Sequence, residues 1–271
     1  MTASNGKIDP VTYELIEFQH TGYVASIVFN RPEAVNAVSF EMLAELESAM
    51  SLVEGNADIR VLVLTGRGRA FCAGADLKGV SHDGPADRTP DAFVKRIQAV
   101  MNRIRALQFP VIAGLNGITM AGGLEFALCA DIIVAAETAR IGDCHVNYGV
   151  IPGAGGAAIL PGIVGTVVGK FLLFTGEAPR ASELIHTGLL AKVYPDDTFQ
   201  AELGALAEKI AEKSPLGLKI IKRIVGEALR LPQSDALQLE IDANATYSLS
   251  EDMREGLAAF SAKRRPVFVG R

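Results

Sequence analysis

Glu125 is the residue that most clearly invites a chemical interpretation, because it is an acid inside an apolar run. The segment 118–136 reads ITMAGGLEFALCADIIVAA. Glu125 follows the Gly122-Gly123 pair, so it falls in the first turn of a helix that begins there. A carboxylate buried among apolar side chains is costly unless it is solvated or paired. The sequence therefore predicts either a buried ion pair, with an arginine such as Arg140, or a functional site.

Two segments of small residues can bring backbone N–H groups close to a ligand. One is the loop 71–77, which contains Ala73 and Gly74, and the other is the Gly122-Gly123 turn. Two convergent N–H donors form an oxyanion hole, which stabilises an enolate or a tetrahedral oxyanion made from a carbonyl compound. A helix that begins at Gly122 adds its dipole to this effect. The two segments together favour chemistry at a thioester or another carbonyl.

Alternating strands and helices must position these segments. β-rich runs predict strands at 13–18, 23–29, 60–65, 111–115 and 131–135, and helical periodicity follows Ser39, Thr89-Pro90 and Gly122. The residues 79–91 are polar and predict a surface loop, whereas 152–165 are Gly/Pro-rich but apolar and predict tight backbone packing. This organisation predicts an α/β fold of repeated β-β-α units. Four amphipathic helical segments, 203–213, 216–230, 234–249 and 253–263, complete the chain, and they need their own domain or a sister subunit to pack on.

The composition excludes several classes of protein. The 271 residues are 49% hydrophobic and 21% charged, which is typical of soluble globular proteins, and the net charge of −5 argues against nucleic acid as a partner. Asp131 and Glu125 interrupt the best candidate for a membrane span. The first ten residues have no targeting pattern, so we expect a cytoplasmic protein. Cys72, Cys129 and Cys144 are expected to be reduced packing residues.

Five motifs occur in an order that is informative as a set. They are NRPEAVNA (30–37), AFCAGADL (70–77), NGITMAGGLEFALCADIIVAAE (116–137), YGVIPGAGG (148–156) and EGLAAFSAKRRPVF (255–268). In this order the chain resembles the enoyl-CoA hydratase/isomerase family, the crotonase superfamily, over nearly its whole length. The resemblance implies a crotonase-like spiral of β-β-α units over 1–198, with a C-terminal helical oligomerisation region over 199–271. It also implies a homotrimer, or a hexamer that is a dimer of trimers.

The resemblance assigns roles to particular residues. The substrate is an acyl-CoA thioester, its coenzyme A being part of the substrate, and neither a separate cofactor nor a metal is expected. The backbone N–H groups of Ala73 and Gly122 are the implied oxyanion-hole donors. The implied substrate- and CoA-binding residues are Ala34, Gly74, Ala75, Asp76, Leu77 and Lys263, the last directed at CoA phosphates.

The chain departs from the family at one position that handles protons. The family hydratase uses two glutamates that flank a water molecule, and the first corresponds to Glu125. Alignment on Ile151–Gly153 places the second at His145. An imidazolium can donate a proton to the α-carbon, whereas a neutral imidazole is a good base and a poor acid. The predicted catalytic pair is therefore Glu125 and His145, with Asp143 as the alternative partner of Glu125.

Several functions are compatible with this site. The leading hypothesis is a hydro-lyase that hydrates a 2-enoyl-CoA through an enolate, as a step of fatty acid metabolism. The same site would serve an enoyl-CoA double-bond isomerase, or a thioester or β-diketone hydrolase that uses His145. A non-catalytic CoA- or RNA-binding scaffold is the alternative of a different class. The presence of Glu125 and of both donor segments favours an enzyme.

Overall fold

The first part of the chain is a series of four β-β-α units. In this computed structural model, which describes residues 12–79 and 85–271, nine strands and ten α-helices are defined. The strands are β1 (Ile16–Thr21), β2 (Val24–Phe29), β3 (Val61–Gly66), β4 (Ala70–Cys72), β5 (Val111–Leu115), β6 (Ile118–Met120), β7 (Ile132–Ala136), β8 (Ile141–Gly142) and β9 (Lys192–Tyr194). The helices are α1 (Phe40–Gly55), α2 (Pro90–Ala106), α3 (Gly122–Ala127), α4 (Gly156–Val164), α5 (Thr166–Thr175), α6 (Ala181–Leu184), α7 (Phe199–Ala211), α8 (Pro215–Ala228), α9 (Gln233–Tyr247) and α10 (Glu251–Ser261).

Two sheets organise these units. A six-stranded sheet has the order β1-β2-β3-β5-β7-β9, in which β1 and β2 form an antiparallel hairpin and the other pairs are parallel. A three-stranded parallel sheet has the order β4-β6-β8. In the second, third and fourth units, the first strand therefore lies in the large sheet and the second strand in the small one. The chain advances as a spiral, which confirms the predicted fold class.

The helix starts follow the capping chemistry of the sequence. The Ser39 hydroxyl accepts a hydrogen bond from Met42 N at the start of α1, and the Thr89 hydroxyl accepts one from Ala92 N at the start of α2. The apolar faces of both helices are buried, and Arg96 on α2 forms a bidentate ion pair with Glu47 on α1. The six residues of β3 are buried, as expected for a parallel strand that is covered on both faces.

The small sheet and the edge strand β9 of the large sheet are parts of the fold that sequence periodicity did not predict. These strands contain only two or three residues each, which is too short for an alternation pattern. The Gly/Pro-rich segment 152–165 forms the helix α4 from Gly156 onward, with Pro161 inside it. The predicted tight backbone packing is seen at Gly153 and Gly156, where an added Cβ would lie within 3 Å of neighbouring side chains. Residues 80–84 of the predicted surface loop 79–91 lie outside the described residues.

The C-terminal helices form two groups that differ in burial. Helix α7 packs on the large sheet, and its inward residues Phe199, Leu203, Ala207 and Ala211 are buried. Helices α8 to α10 instead expose large apolar side chains, including Ile221, Val225, Leu229, Ile241, Leu257 and Phe260. The division at residues 198 and 199 stays a prediction, and α7 belongs to the packed core. No helix among residues 12–79 and 85–271 is long and apolar enough to cross a membrane.

Candidate active site

The carboxylate of Glu125 is buried and is held by backbone amides. Its Oε1 atom accepts hydrogen bonds from Ala154 N at 2.7 Å and from Gly156 N at 2.9 Å, and the residue is only 3% exposed. Hydrogen bonds of this kind compensate a buried carboxylate without a cationic side chain. Arg140, the predicted alternative partner, donates to the Ala178 carbonyl instead. The ion-pair interpretation of Glu125 is therefore wrong.

His145 lies across from Glu125, with a second carboxylate behind it. Its Nε2 atom is 3.9 Å from Glu125 Oε2, and its Nδ1 atom is 2.9 Å from Asp143 Oδ1. A tight turn makes this arrangement, because Cys144 adopts a left-handed conformation with φ 58° between the two residues. Such a conformation is strained for a residue with a Cβ and is often found at functional sites. The structure thus brings the two predicted proton-handling residues together, and Asp143 contacts His145 rather than replacing it.

The predicted oxyanion donor Ala73 requires a correction. Its N–H donates to the Val35 carbonyl at 3.1 Å, so this group is not free to bind a substrate. The residues on either side of Ala75 form a β-bridge with Val38. Gly74 O accepts a hydrogen bond from Val38 N, and Asp76 N donates one to Val38 O. Since successive peptide groups point in opposite directions in extended chain, the Ala75 N–H points away from this bridge. Within the described part of the chain it has no hydrogen-bond partner.

The free amide of Ala75 lies beside the other predicted donor. Gly122 begins α3, where the first N–H groups of a helix have no intrahelical acceptor. A Cβ atom placed on Gly122 would lie 3.7 Å from Ala75 N, and one placed on Gly74 would lie 3.2 Å from Gly122 N. Ala75 and Gly122 are therefore the neighbouring pair of open donors at this site. Ala75 was predicted only as a residue of the binding surface.

Close backbone contacts keep the segments of the site in register. A Cβ on Gly123 would lie 1.9 Å from the Cys72 carbonyl oxygen, and a Cβ on Gly156 would lie 2.3 Å from Asp143 Oδ2. Only glycine allows these approaches. On the other side of α3, the ring of Phe126 packs edge-on against Phe29 with centroids 5.3 Å apart. The start of α3 is thereby fixed against both sheets.

Two polar residues that the sequence interpretation did not single out also shape the site. Arg105 on α2 donates through Nη2 to the Ala154 carbonyl at 2.6 Å, and so supports the loop that binds Glu125. Asn36 is completely buried, with its amide group donating to the Arg67 and Ala70 carbonyls. A buried asparagine with saturated hydrogen bonds holds a loop in place. The motif NRPEAVNA contained this signal, since Asn36 stands between apolar residues.

The predicted CoA-binding residues occupy different environments. Ala34 ends a short 3₁₀ turn and is half-buried, and Leu77 is exposed. Asp76 forms an ion pair with Arg31 at 2.6 Å. Burial raises the pKa of Asp76, but the hydrogen bonds and charges of Arg31 and Lys78 outweigh burial and hold the pKa below its usual range. Lys263 is exposed after α10, and among the described residues no hydrogen bond or ion pair joins its side chain to segment 73–77.

The cysteines near the site are not suited to act as nucleophiles. Burial raises the pKa of the Cys72 thiol to about 12, and burial likewise raises the pKa of Cys129 to about 12. Burial and the charge of Asp143 raise the pKa of Cys144 as well. A thiol reacts as its thiolate, so these groups are inert near neutral pH. Among the described residues, Glu125, His145 and Asp143 are the titratable side chains left at the site for acid–base chemistry.

Comparison with known proteins identifies the family of the chain. The family model described as enoyl-CoA hydratase/isomerase matches residues 19–271. The chain is 32% identical over 262 residues to the crotonyl-CoA hydratase of Syntrophomonas wolfei, a match that covers 96% of this chain and 100% of the relative. It is 34% identical over 250 residues to the 1,2-epoxyphenylacetyl-CoA isomerase of Escherichia coli, covering 92% of this chain and 95% of the relative.

A solved structure extends the agreement to the fold. The crystal structure of an enoyl-CoA hydratase from Bacillus anthracis superposes with a TM-score of 0.89 at 34% identity, covering 95% of this chain and 100% of that chain. The family match, the relatives and the shared fold each extend over nearly the whole chain, including Glu125 and the two donor segments. The chain therefore belongs to the enoyl-CoA hydratase/isomerase family.

Proposed function

We propose that this protein hydrates the double bond of a 2-enoyl-CoA thioester, with Glu125 and His145 as its proton-handling pair. The observation that carries the proposal is the 3.9 Å approach of Glu125 Oε2 and His145 Nε2, next to the free amides of Ala75 and Gly122. Its relatives include a crotonyl-CoA hydratase, which supports the substrate class. The binding roles of Ala34, Gly74, Asp76, Leu77 and Lys263 belong to the same proposal.

The geometry of the pair suits one shared water molecule. A water that forms hydrogen bonds of about 2.8 Å to both atoms must sit to one side of the line that joins them. Because Glu125 Oε1 is already held by two backbone amides, Oε2 is the oxygen available to this water. A reactant fixed in this way needs no further loss of rotational freedom before it attacks.

The reaction then proceeds with balanced proton transfers. The amides of Ala75 and Gly122 bind the thioester oxygen and stabilise the negative charge that develops on it. Glu125 removes a proton from the water as its oxygen bonds to C3, and the π electrons move toward the thioester to form an enolate. Protonated His145 gives a proton from Nε2 to C2, which yields the 3-hydroxyacyl-CoA. The proton on Glu125 then returns to His145 across the short gap, and both groups regain their starting states.

The assembly and setting of the enzyme are also part of the proposal. Apolar side chains exposed on α8, α9 and α10 support a homotrimer or a dimer of trimers, because a monomer rarely leaves such residues clustered in water. Within 199–271, the proposed subunit contacts are therefore assigned to α8, α9 and α10. The three cysteines are free thiols, which supports a cytoplasmic location. The acyl-CoA substrate class is the basis for proposing a role in fatty acid metabolism. The coenzyme A arrives with the substrate, and no other cofactor takes part.

The hydration of crotonyl-CoA tests the proposal directly. We expect turnover by the wild type, and a fall in kcat of about 10²- to 10⁴-fold for Glu125→Gln, with binding of the CoA ester largely kept. His145→Gln should lower kcat within the same range. Glu47→Gln, which removes a surface ion pair between α1 and α2, serves as the control and should keep wild-type turnover.

Other outcomes would identify a different reaction at the same site. A wild type that is inert toward enoyl-CoA esters but moves a double bond from position 3 to position 2 would be an isomerase, which needs only Glu125 as a proton shuttle. Cleavage of a thioester or a β-diketone would indicate a hydrolase in which His145 activates water. If the wild type and both variants bind CoA but turn over no ester, the protein is a scaffold.

A further inference from the structure

We propose that Asp143 is a positioning residue, which holds the proton of a neutral His145 ring on Nδ1 and leaves Nε2 as the single site for proton exchange with Glu125. The catalytic consequence rests on the proposed hydration. The assignment of the ring proton rests only on the contacts of the three side chains.

The contact between Asp143 and His145 determines which ring nitrogen carries the proton. Asp143 Oδ1 is 2.9 Å from Nδ1, and an ionised carboxylate can only accept a hydrogen bond. With Asp143 ionised, Nδ1 is therefore the donor. In the neutral ring the lone pair is then on Nε2, the atom that faces Glu125 Oε2 at 3.9 Å. When the ring carries a second proton, the two ring nitrogens face carboxylate oxygens on both sides, which compensates its positive charge.

Asp143 has no other interaction that explains its burial. The residue is 1% exposed, and among the described residues its Oδ2 atom has no hydrogen-bond partner. A buried carboxylate oxygen without a partner is costly, and a carboxylate with a purely structural role would normally have both oxygens satisfied. Gly156 packs directly against this oxygen, since a Cβ placed on Gly156 would lie 2.3 Å from it. Within residues 12–79 and 85–271, the Asp143 side chain thus has a single hydrogen-bond partner, His145.

The backbone between the two residues is built for this contact. Side chains two positions apart in extended chain point the same way without touching, whereas here the left-handed Cys144 closes a turn around them. The strained conformation of Cys144 lies directly between Asp143 and His145. This placement favours a functional rather than an incidental pair.

Nitrogen-15 NMR of the wild-type protein, labelled in histidine, tests the assignment without any assay of activity. We expect the neutral His145 ring to carry its proton on Nδ1. In Asp143→Asn the side-chain amide can donate to Nδ1, so the proton should move to Nε2. A wild-type ring with its proton on Nε2 would overturn the proposal, even if Asp143→Asn fails to fold.

Kinetics then test whether Asp143 acts through His145. Asp143→Asn should lower kcat for crotonyl-CoA at least about tenfold, with little change in KM. This loss is smaller than the full contribution of general acid–base catalysis, which is about 10²- to 10⁴-fold, because His145 itself is still present. In the His145→Gln background the same substitution should have no further effect on kcat, because a positioning residue without its target has nothing to position. Asp196→Asn, which removes the partner of Thr138, is the matched control and should keep wild-type kcat.

The two proposals can fail separately. If Asp143→Asn lowers kcat equally with and without His145, its role is structural and the positioning proposal is wrong. If the wild type hydrates no enoyl-CoA ester while its His145 ring carries the proton on Nδ1, hydration is wrong and the assignment of the ring proton stands.

Discussion

At the scale of single residues, the site is built largely from backbone groups around two side chains. Glu125 is stabilised by two amides rather than by an arginine, and the open donors of Ala75 and Gly122 are amides as well. Backbone groups held by close packing need little reorganisation when charge develops on a substrate. This arrangement leaves the one free oxygen of Glu125 to face the imidazole of His145.

The proposed oxyanion donor Ala75 leads to a prediction about two amides. Replacing Ala75 by its ester analogue, lactic acid, exchanges the N–H group for an oxygen, and also weakens the Gly74 carbonyl as the acceptor from Val38 N. It should lower kcat by about 10²- to 10³-fold. The same replacement at Ala73 removes the hydrogen bond to Val35, and should cost about 1 kcal/mol of stability with kcat unchanged. Enzyme kinetics and chemical denaturation of the two semisynthetic proteins check this. A loss of kcat at Ala73 alone would restore the original assignment.

The thiols near the site should be unreactive in the folded protein. Burial raises the pKa of both Cys72 and Cys129 to about 12, so almost no thiolate is present at pH 8. We expect iodoacetamide to leave both residues unmodified in the native protein and to alkylate both after unfolding. Peptide mass spectrometry measures the two extents. Rapid native alkylation of Cys72 would show that the segment around β4 opens readily.

At the scale of elements, the site depends on how closely α3 approaches β4. Strand β4 ends at Cys72, and the carbonyl oxygen of Cys72 lies against the Cα atom of Gly123. The short helix therefore cannot shift without changing the distance between the amides of Gly122 and Ala75. Phe126, packed against Phe29, holds the far side of the same helix.

This contact predicts a large effect of one methyl group. In Gly123→Ala the new Cβ would lie 1.9 Å from the Cys72 carbonyl oxygen, so the backbone must move and the stability should fall by more than about 3 kcal/mol. Gly162→Ala on α4 is the matched control, because its Cβ meets no atom within 4 Å. It should stabilise the protein by up to about 1 kcal/mol. Equal stabilities of the two variants in urea would contradict the contact.

The C-terminal tail is held to α10 by several contacts, in which Asp252 accepts hydrogen bonds from Val269 N and Gly270 N and Glu255 binds the segment before them. Glu255 accepts two hydrogen bonds from Arg264 and one from Val267 N, and the Arg264 hydrogen bonds lower the pKa of Glu255 to about 2. Because this value lies below the ordinary one, the interaction is fully present above about pH 4.5 and is lost as the pH falls toward about 2.

Hydrogen exchange of the Val267 amide measures this link. The wild type should keep its protection at pH 4, whereas Glu255→Gln should lose much of it at the same pH. Glu54→Gln, which removes the ion pair with Arg103 between α1 and α2, is the control and should leave Val267 protected. Unchanged protection in Glu255→Gln would mean that other contacts hold the tail.

At the scale of the whole molecule, the spiral and the C-terminal helices have different roles. The spiral buries its apolar residues in one core with two sheets, which α7 helps to cover. Helix α8 packs on α9, and Lys222 of α8 forms an ion pair with Asp131 of the spiral. The C-terminal helices nevertheless leave Leu229 and Phe260 both 85% exposed. Side chains of this size are normally covered by a partner when many lie on one set of helices.

The proposed oligomer therefore depends on this apolar surface. We expect Leu229→Glu combined with Phe260→Glu to shift the protein from a trimer or hexamer to a smaller species, since two charges would be buried without partners. Tyr23→Glu, at an exposed aromatic residue on the hairpin of the large sheet, is the control and should keep the wild-type mass. Light scattering after size exclusion measures the mass. A monomeric wild type would refute the oligomer.

Much of this protein follows from local sequence patterns. The helix starts at Ser39 and Thr89, the buried parallel strand β3 and the acid in the turn after Gly122 all depend on capping groups, periodicity or one polar residue in an apolar run. Such signals act over a few residues, so they can be read along the chain. The order of the motifs indicated the family, and alignment with the family pattern predicted the pairing of Glu125 with His145.

The tertiary structure decided which atoms are free to react. Ala73 and Ala75 have the same side chain in the same loop, and only the contact with Val35 removes the first amide from the site. The small sheet joins strands of two or three residues that are far apart in sequence, so no local pattern predicts it. The amides that bind Glu125 and the aspartate that binds His145 depend on the same long-range packing, because a hydrogen bond requires distance and direction as well as residue type.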